Sequence, residues 1–142
     1  MNFLKLRISS PEKLVFEESE LLSVTIPTAN GEITILPGHI PLVSKVIHGE
    51  IVARKRDKEH SLITTEGFLK LSAAGEIEIL SDYAERSEDI EIAKVERAKK
   101  LAEETMREKK SESEFILAEA ELRKTLLELK IAQKRRSKVK GI

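Results

Sequence analysis

The chain has 142 residues, with 25 basic and 25 acidic side chains and no cysteine. The length suits one domain or a small domain with an appendage, and the lack of cysteine excludes disulfides, thiolate nucleophiles and cysteine metal sites. The net charge of +0 argues against nucleic acid as the main partner, because phosphate binding needs an excess of cations.

The charge is unevenly distributed along the chain. Residues 1–86 carry 10 basic and 13 acidic side chains, all four prolines and five of the six glycines. Residues 87–142 carry 15 basic and 12 acidic side chains, and residues 76–140 contain no glycine or proline. Because turn-forming residues stop where the charge density nearly doubles, we predict two domains, 1–86 and 87–142.

Residues 1–86 have the pattern of β-strands. Apolar or alternating runs, of which Leu22–Ile26 is the clearest, follow at roughly ten-residue intervals. Turn signals such as Ala29–Gly31 and Pro37-Gly38 separate them. The other runs are Phe3–Ile8, Leu14–Phe16, Ile33–Ile35, Ile47–Ala53, Ser61–Thr65, Phe68–Leu71 and Ile77–Ile79. This spacing predicts an antiparallel β-sandwich or flattened barrel.

Residues 87–142 predict an antiparallel two-helix hairpin with its turn near 109–113, which makes the whole chain α+β. Ser87 can cap the first helix, and Ser111 with Glu114 has the capping-box spacing for a second helix running to about Lys138. The second helix carries apolar stripes on two opposite sides. The first stripe is Phe115, Ala118, Leu122, Leu126, Leu129 and Ala132, and the second is Ile116, Leu117, Ala120, Leu127 and Ile131.

Because the second helix has two apolar stripes, the hairpin has two apolar surfaces that must each pack against something. The first stripe can face the first helix, whereas the second needs either a permanent contact with the β domain or a different protein. The pattern leaves both interpretations open. An element with two alternative partners and little stability of its own is a candidate conformational switch.

Catalytic and metal-binding motifs are missing from the sequence. His39, His48 and His60 are the only histidines, and none has a neighbour at metal-ligand spacing. Neither a nucleophile elbow nor a glycine-rich phosphate loop occurs, so we expect no enzyme, cofactor or metal. No apolar run is long enough to cross a membrane, and residues 1–10 lack the apolar core of a signal peptide, so a soluble intracellular chain is expected.

The segment Gly31–Leu42, which reads GEITILPGHIPL, resembles the epsilon subunit of bacterial F-type ATP synthase, the counterpart of the mitochondrial delta subunit. The segments Gly67–Leu69, Ile79–Glu85 and Ser87–Ile90 resemble the same family. The resemblance implies a non-catalytic subunit of the rotating central stalk, which helps couple ion flow to ATP synthesis and inhibits ATP hydrolysis through its hairpin. It also implies a peripheral location on the cytoplasmic face of the bacterial inner (plasma) membrane.

The resemblance further implies partners and contact residues. The partners are the gamma subunit, the ring of c subunits and, when the hairpin is extended, the alpha/beta hexamer. The implied c-ring contacts are Gly31, Glu32, Pro37, Gly38, His39 and Leu42. The implied inhibitory contacts with an acidic segment of the catalytic beta subunit are Arg123, Lys130, Lys134, Arg135, Arg136 and Lys138. The basic tail Lys134–Lys140, which includes the last four of these residues, has an alternative interpretation as cations that suit the negative end of the helix dipole.

Some members of the family bind ATP at the hairpin through the motif Ile/Leu-Asp-x-x-Arg-Ala. The matching stretch here begins Ile90-Glu91 and has Lys94 in place of arginine, with Glu85 before it and Lys124 on the second helix. Lysine lacks the bidentate fork of arginine, so we expect ATP binding to be weak or absent. The alternatives to a synthase subunit are a free-standing ATP-sensing regulatory protein and a two-part adaptor outside the synthase.

Overall fold

The structure is a computed structural model that describes residues 2–108 and 112–140, with side chains as far as residue 135. It divides into two compact units, Met1–Arg86 and Ser87–Ile142. The division falls where the turn-forming residues stop and the charge density rises. Most of the predicted hairpin turn, including Ser111, lies outside the described residues.

The first unit is a nearly closed β-barrel of ten strands. The strands are β1 (Leu4–Ser9), β2 (Leu14–Leu21), β3 (Ser23–Thr28), β4 (Gly31–Ile35), β5 (Leu42–Val46), β6 (Gly49–Arg54), β7 (Glu59–Thr64), β8 (Gly67–Leu71), β9 (Glu76–Ser81) and β10 (Ala84–Arg86). They follow the order β10-β7-β6-β3-β5-β8-β9-β1-β2, and β4 pairs with β3 beside this path. The predicted flattened barrel is therefore confirmed.

The pairing of β1 with β9 is parallel, whereas the other described ladders are antiparallel. Among the described ladders, this pair is the one exception to the predicted antiparallel arrangement. Short turns force antiparallel pairing only between strands that follow each other closely, and β1 and β9 are distant in sequence. The strands β5 and β10 were not predicted, because β5 directly follows a proline loop and β10 has only three residues.

The core of the barrel is built by alternation along the strands. Leu4, Leu6 and Ile8 of β1 point inward while the residues between them are exposed, and β9 repeats this pattern. The remaining core residues are Phe16, Leu21, Val24, Ile26, Ile35, Val46, Ile51, Ala53, Leu62, Leu69, Leu71, Ile77, Ile79 and Ala84.

Gly67 allows β8 to begin directly against β9. A Cβ atom added at Gly67 would lie 2.0 Å from the backbone oxygen of Leu80, so no other residue fits without moving one of the two strands. This close approach also sets the pairing of Phe68 with Leu80, the next pair along the ladder.

The second unit contains two helices, α1 (Ile92–Glu108) and α2 (Glu112–Lys140). One groove of the unit is lined by residues 98–105 of α1 and 114–121 of α2, and another is lined by residues 96–103 and 126–133. Later residues of α2 thus lie beside earlier residues of α1, so the helices run in opposite directions and the predicted hairpin is confirmed. Ser87 does not cap α1 as predicted. A 3-10 turn spans Ser87–Asp89, and α1 begins only at Ile92.

The two stripes of α2 differ in exposure. In the first stripe, Ala118, Leu129 and Ala132 are buried, while Leu126 remains exposed. In the second stripe, Ile116 and Leu117 are exposed but Ile131 is buried. The amino-terminal half of the second stripe therefore presents apolar side chains to solvent.

Candidate docking surfaces

A tight turn between β3 and β4 presents the first two predicted c-ring residues. Gly31 has φ 109°, which favours glycine, and its carbonyl accepts a 2.6 Å hydrogen bond from the Thr28 hydroxyl. The same hydroxyl accepts the Asn30 N–H at 3.3 Å. Glu32 follows on β4 and is exposed. A rigid turn thus holds a solvent-facing carboxylate at one end of the barrel.

The loop between β4 and β5 presents three of the other predicted c-ring residues, whereas the fourth, Leu42, begins β5 and packs partly against the barrel core. Pro37 and Gly38 form its reversal: Gly38 has φ 87°, and the His39 N–H donates to the Leu36 carbonyl at 3.2 Å. A proline followed by a residue with positive φ is the geometry of a type II turn. His39 Nδ1 lies 2.6 Å from the Ile40 carbonyl, to which it donates. Leu36, His39 and Ile40 are all exposed.

The six predicted c-ring residues form two groups rather than one. Gly31 and Glu32 lie at the start of β4, whereas Pro37, Gly38, His39 and Leu42 follow its end. The five residues of β4 pair continuously with β3, so the strand is extended and separates the groups by about 13 Å. The β3–β4 turn and the β4–β5 loop are therefore separate surfaces.

An exposed apolar patch on the outer face of the barrel was not predicted. It consists of Leu14, Val43, Phe68 and Leu80, and we call it the outer patch. Phe68 pairs directly with Leu80, Leu80 with Ser9, and Ser9 with Leu14, which places these side chains in one row. Val43, Phe68 and Leu80 are 75%, 64% and 60% exposed.

The outer patch is surrounded by polar and charged residues. Lys45 lies opposite Phe68, and Lys70 lies opposite Val43 on the same face. Its signal in the sequence is that Phe68 and Leu80 fall at outward positions of their strands, each next to a buried residue, Leu69 on β8 and Ile79 on β9. An apolar patch with a polar rim is typical of a protein-protein interface.

The predicted ATP-site residues are distributed over both units. In the first unit, Glu85 is half-buried and accepts a hydrogen bond from the Tyr83 hydroxyl. In the second unit, Ile90 is buried, Glu91 and Lys94 are exposed, and Lys124 is half-buried. The Glu85 carboxylate is thus already held by a neighbouring side chain.

The predicted inhibitory residues lie along α2. Arg123 is exposed and forms an ion pair with Glu119, one turn earlier, at 2.5 Å. Lys130 and Lys134 are exposed and Arg135 is half-buried. The side chains of Arg136 and Lys138 lie outside the described residues. The described cations therefore follow one another from the middle of α2 toward its carboxyl-terminal end.

Residues 2–108 and 112–140 contain neither a metal-binding cluster nor a membrane-spanning helix. No group of three or more histidine, aspartate or glutamate side chains there is arranged to hold a metal ion. Among the helices in the same part of the chain, none is both long and apolar enough to cross a membrane.

Comparison with known proteins identifies the family. Residues 3–87 match the family model described as ATP synthase, Delta/Epsilon chain, beta-sandwich domain. The ATP synthase epsilon chain of Dehalococcoides mccartyi is 40% identical over 134 residues, which cover 94% of each chain. The chain belongs to the ATP synthase delta/epsilon family. The epsilon chain of Caldanaerobacter subterraneus is 38% identical over 120 residues, which cover 84% of this chain and 86% of the relative.

The likeness to ATP synthase epsilon chains is not confined to the barrel, because an alignment of 134 residues includes most of the helical unit. A solved structure shares the fold. A chain in the mitochondrial ATP synthase of Euglena gracilis, solved with OSCP, F1 and the c-ring, aligns with a TM-score of 0.73 at 21% identity. This alignment covers 88% of the present chain and 78% of the Euglena chain.

Proposed function

We propose that this member of the delta/epsilon family is a non-catalytic subunit of the central stalk of an F-type ATP synthase. It helps couple rotation of the c-ring to ATP synthesis, and it lies peripherally on the cytoplasmic face of the bacterial plasma membrane. The observation that carries the proposal is the outer patch. The members of the family are subunits of a large assembly, and this chain presents a rigid apolar surface that a partner subunit would cover.

The outer patch fits the gamma subunit. Its strands β5, β8 and β9 are held in continuous ladders, so Val43, Phe68 and Leu80 are presented without further ordering. A preformed apolar surface loses little conformational entropy when it binds, which favours a permanent contact within a rotor. Ile40, in the β4–β5 loop two residues before β5, is a further exposed apolar side chain.

The β3–β4 turn fits the c-ring. Glu32 offers a carboxylate to polar or cationic groups on the loops of the c subunits, and the turn beneath it is fixed by the Thr28 hydroxyl. The β4–β5 loop, with Pro37, Gly38 and His39, lies at the other end of β4, and Leu42 begins β5 directly after it. Because it borders the outer patch through Val43, we assign these four residues to the stalk side of the interface.

The helical unit fits an inhibitory role. Leu101, Ile116 and Leu117 are exposed apolar residues that an alternative partner would cover. The cations Arg123, Lys130, Lys134 and Arg135 lie along α2, and Arg136 and Lys138 follow in sequence. We propose that the helices extend toward the alpha/beta hexamer and place these cations on an acidic surface of a catalytic subunit.

Regulation by ATP is weak or absent in this proposal. Lys94 and Lys124 supply point charges where the family's ATP-binding members use arginine, and the Glu85 carboxylate is held by Tyr83. Glu128, one turn after Lys124 on α2, is buried and would repel a phosphate. A free-standing ATP sensor would need a stronger phosphate site than these residues provide.

Single-cysteine cross-linking tests the assignment, because the native chain has no cysteine. In the assembled synthase, Val43→Cys is expected to cross-link to gamma and Glu32→Cys to a c subunit. Asp57→Cys, on the exposed β6–β7 loop, is the matched control and should give neither product. Failure of both test variants in a complex that contains the chain would refute the assignment. Failure of the chain to co-purify with gamma would favour a free-standing protein or adaptor.

A further inference from the structure

The two end strands of the sheet, β2 and β10, meet through side chains. No ladder joins them within the described residues, but Phe16 of β2 contacts both His60 of β7 and Arg86 of β10. The His60 ring meets the Phe16 ring in an edge-to-face arrangement, with centroids 5.2 Å apart and an interplanar angle of 61°. The Arg86 guanidinium carbon lies 5.2 Å above the Phe16 ring centroid. We call these three residues the seam.

The carboxylate of Glu18 lies beside the seam and already has a cationic partner. Its Oε1 atom forms an ion pair with Lys55 Nζ at 2.7 Å. His60 Nε2 lies 3.7 Å from the other oxygen of Glu18, which is too long for a hydrogen bond. Nε2 is buried and has no hydrogen-bond partner. The geometry therefore leaves a buried ring nitrogen facing a carboxylate across a short gap.

The surroundings of His60 favour its neutral form. Burial lowers the pKa of His60, the positive charges of Lys58, Arg86 and Lys55 lower it further, and Glu18 opposes them. The hydrogen bond from Lys55 holds the pKa of Glu18 below its ordinary value. At neutral pH the seam thus contains one cation over the Phe16 ring, and acidification adds a second at its edge.

We expect β10 to be the strand that loosens when this second cation forms. β7 pairs with β6 over six residues, whereas β10 has three residues and pairs with β7. Arg86 is the last residue of β10, and Ser87 begins the helical unit directly after it. Loosening β10 therefore acts at the point where the chain leaves the barrel.

We propose that the seam is a proton-operated latch at the root of the helical unit. When His60 Nε2 takes a proton from solvent, the imidazolium pairs with Glu18, Arg86 is displaced from the Phe16 ring, and β10 loosens. The latch is a property of this chain and does not depend on its membership of a synthase. It gives the root of the helical unit a dependence on pH.

The sign of the pH effect follows from the burial of His60. The pKa of His60 is lower in the folded protein than in the unfolded chain, where it lies near 6.5. The stabilisation of the seam is therefore fully present above that pH and is lost as the pH falls through it. Loosening of β10 is expected on the acidic side.

Amide hydrogen exchange of the full chain tests the latch. Between about pH 7.5 and about pH 5.5, the protection factors of residues 84–86, corrected for intrinsic exchange, should fall roughly threefold or more relative to those of the β8–β9 ladder. His60→Gln should abolish this fall. His39→Gln, which removes an exposed histidine from the β4–β5 loop, should retain it. No fall in the native chain, or an equal fall in His60→Gln, overturns the proposal.

A second variant keeps the test decisive if His60→Gln unfolds. Glu18→Gln removes the charge that favours protonated His60, so the midpoint of the exchange transition and of the His60 ring resonances should both move to lower pH. An unchanged midpoint in Glu18→Gln, or ring resonances that titrate without any change at residues 84–86, would also overturn the latch.

Discussion

Truncation of Phe68 should weaken the proposed contact with gamma without unfolding the barrel. The side chain is 64% exposed on the outer patch, so little apolar contact within the barrel is lost on substitution by alanine. Burying a whole phenylalanine contributes about 1.5–3 kcal/mol. The exposed fraction of Phe68 therefore contributes about 1–2 kcal/mol to binding, which corresponds to a roughly 5- to 30-fold increase in Kd.

The assay is interferometry or calorimetry of the full chain against purified gamma. Phe3→Ala is the matched control, because Phe3 is also an exposed phenylalanine of the first unit but lies outside the outer patch. The thermal midpoints of both variants should remain within a few degrees of that of the native chain. The double variant Phe68→Ala with Leu80→Ala should bind more weakly than either single variant.

Two results would refute this reasoning. One is an unchanged Kd for Phe68→Ala in a well-folded protein, which would place the gamma contact elsewhere. The other is an equal loss of affinity in Phe3→Ala, which would show that exposed aromatic area in general, rather than the outer patch, decides the binding.

The remaining predictions concern the c-ring, the helices, ATP and the barrel. Glu32→Lys should weaken association with isolated c-ring in a salt-dependent way while leaving gamma binding unchanged; equal loss of both would indicate misfolding. Deleting residues 111–142 should raise the ATPase activity of the assembled complex without preventing assembly, and unchanged hydrolysis would count against inhibition. Calorimetry with magnesium-free ATP should give no binding tighter than about 1 mM, so a sub-millimolar Kd would contradict the weak site. Gly67→Ala should lower the free energy of unfolding by more than about 3 kcal/mol in urea, because its Cβ would lie 2.0 Å from the Leu80 oxygen. Gly38→Ala, which meets nothing within 4 Å but has φ 87°, should cost only about 1 kcal/mol, and equal losses would contradict the steric argument.

The fold class was predictable because each part of the chain carries one clear period. Leu4, Leu6 and Ile8 alternate as they do in the folded β1, and the glycine-free segment after Glu76 contains both helices. The start of α1 was predicted too early. Ser87 is a good helix-capping residue, but it opens a separate 3-10 turn, and residue preference alone does not distinguish the two.

The candidate docking surfaces were less predictable than the fold. Gly31, Glu32 and His39 were predicted as contacts from a motif of twelve consecutive residues, which gave no indication that β4 separates them into two surfaces. The outer patch was missed because Phe68 and Leu80 lie 12 positions apart and become neighbours only through the β8–β9 register. Alternation along β8 separates the exposed Phe68 from the core residue Leu69, but only the fold brings Phe68 beside Leu80.

The sequence by itself determined the boundary near Ser87, the β and helical character of the two parts, and the family. These properties depend on local periodicity, turn chemistry and a contiguous motif, all of which are written along the chain. Only the tertiary structure decided the parallel pairing of β1 with β9, the outer patch, and the meeting of Phe16, His60 and Arg86. Those features join residues from distant strands, and strand order and register are set by packing of the whole barrel rather than by any one segment.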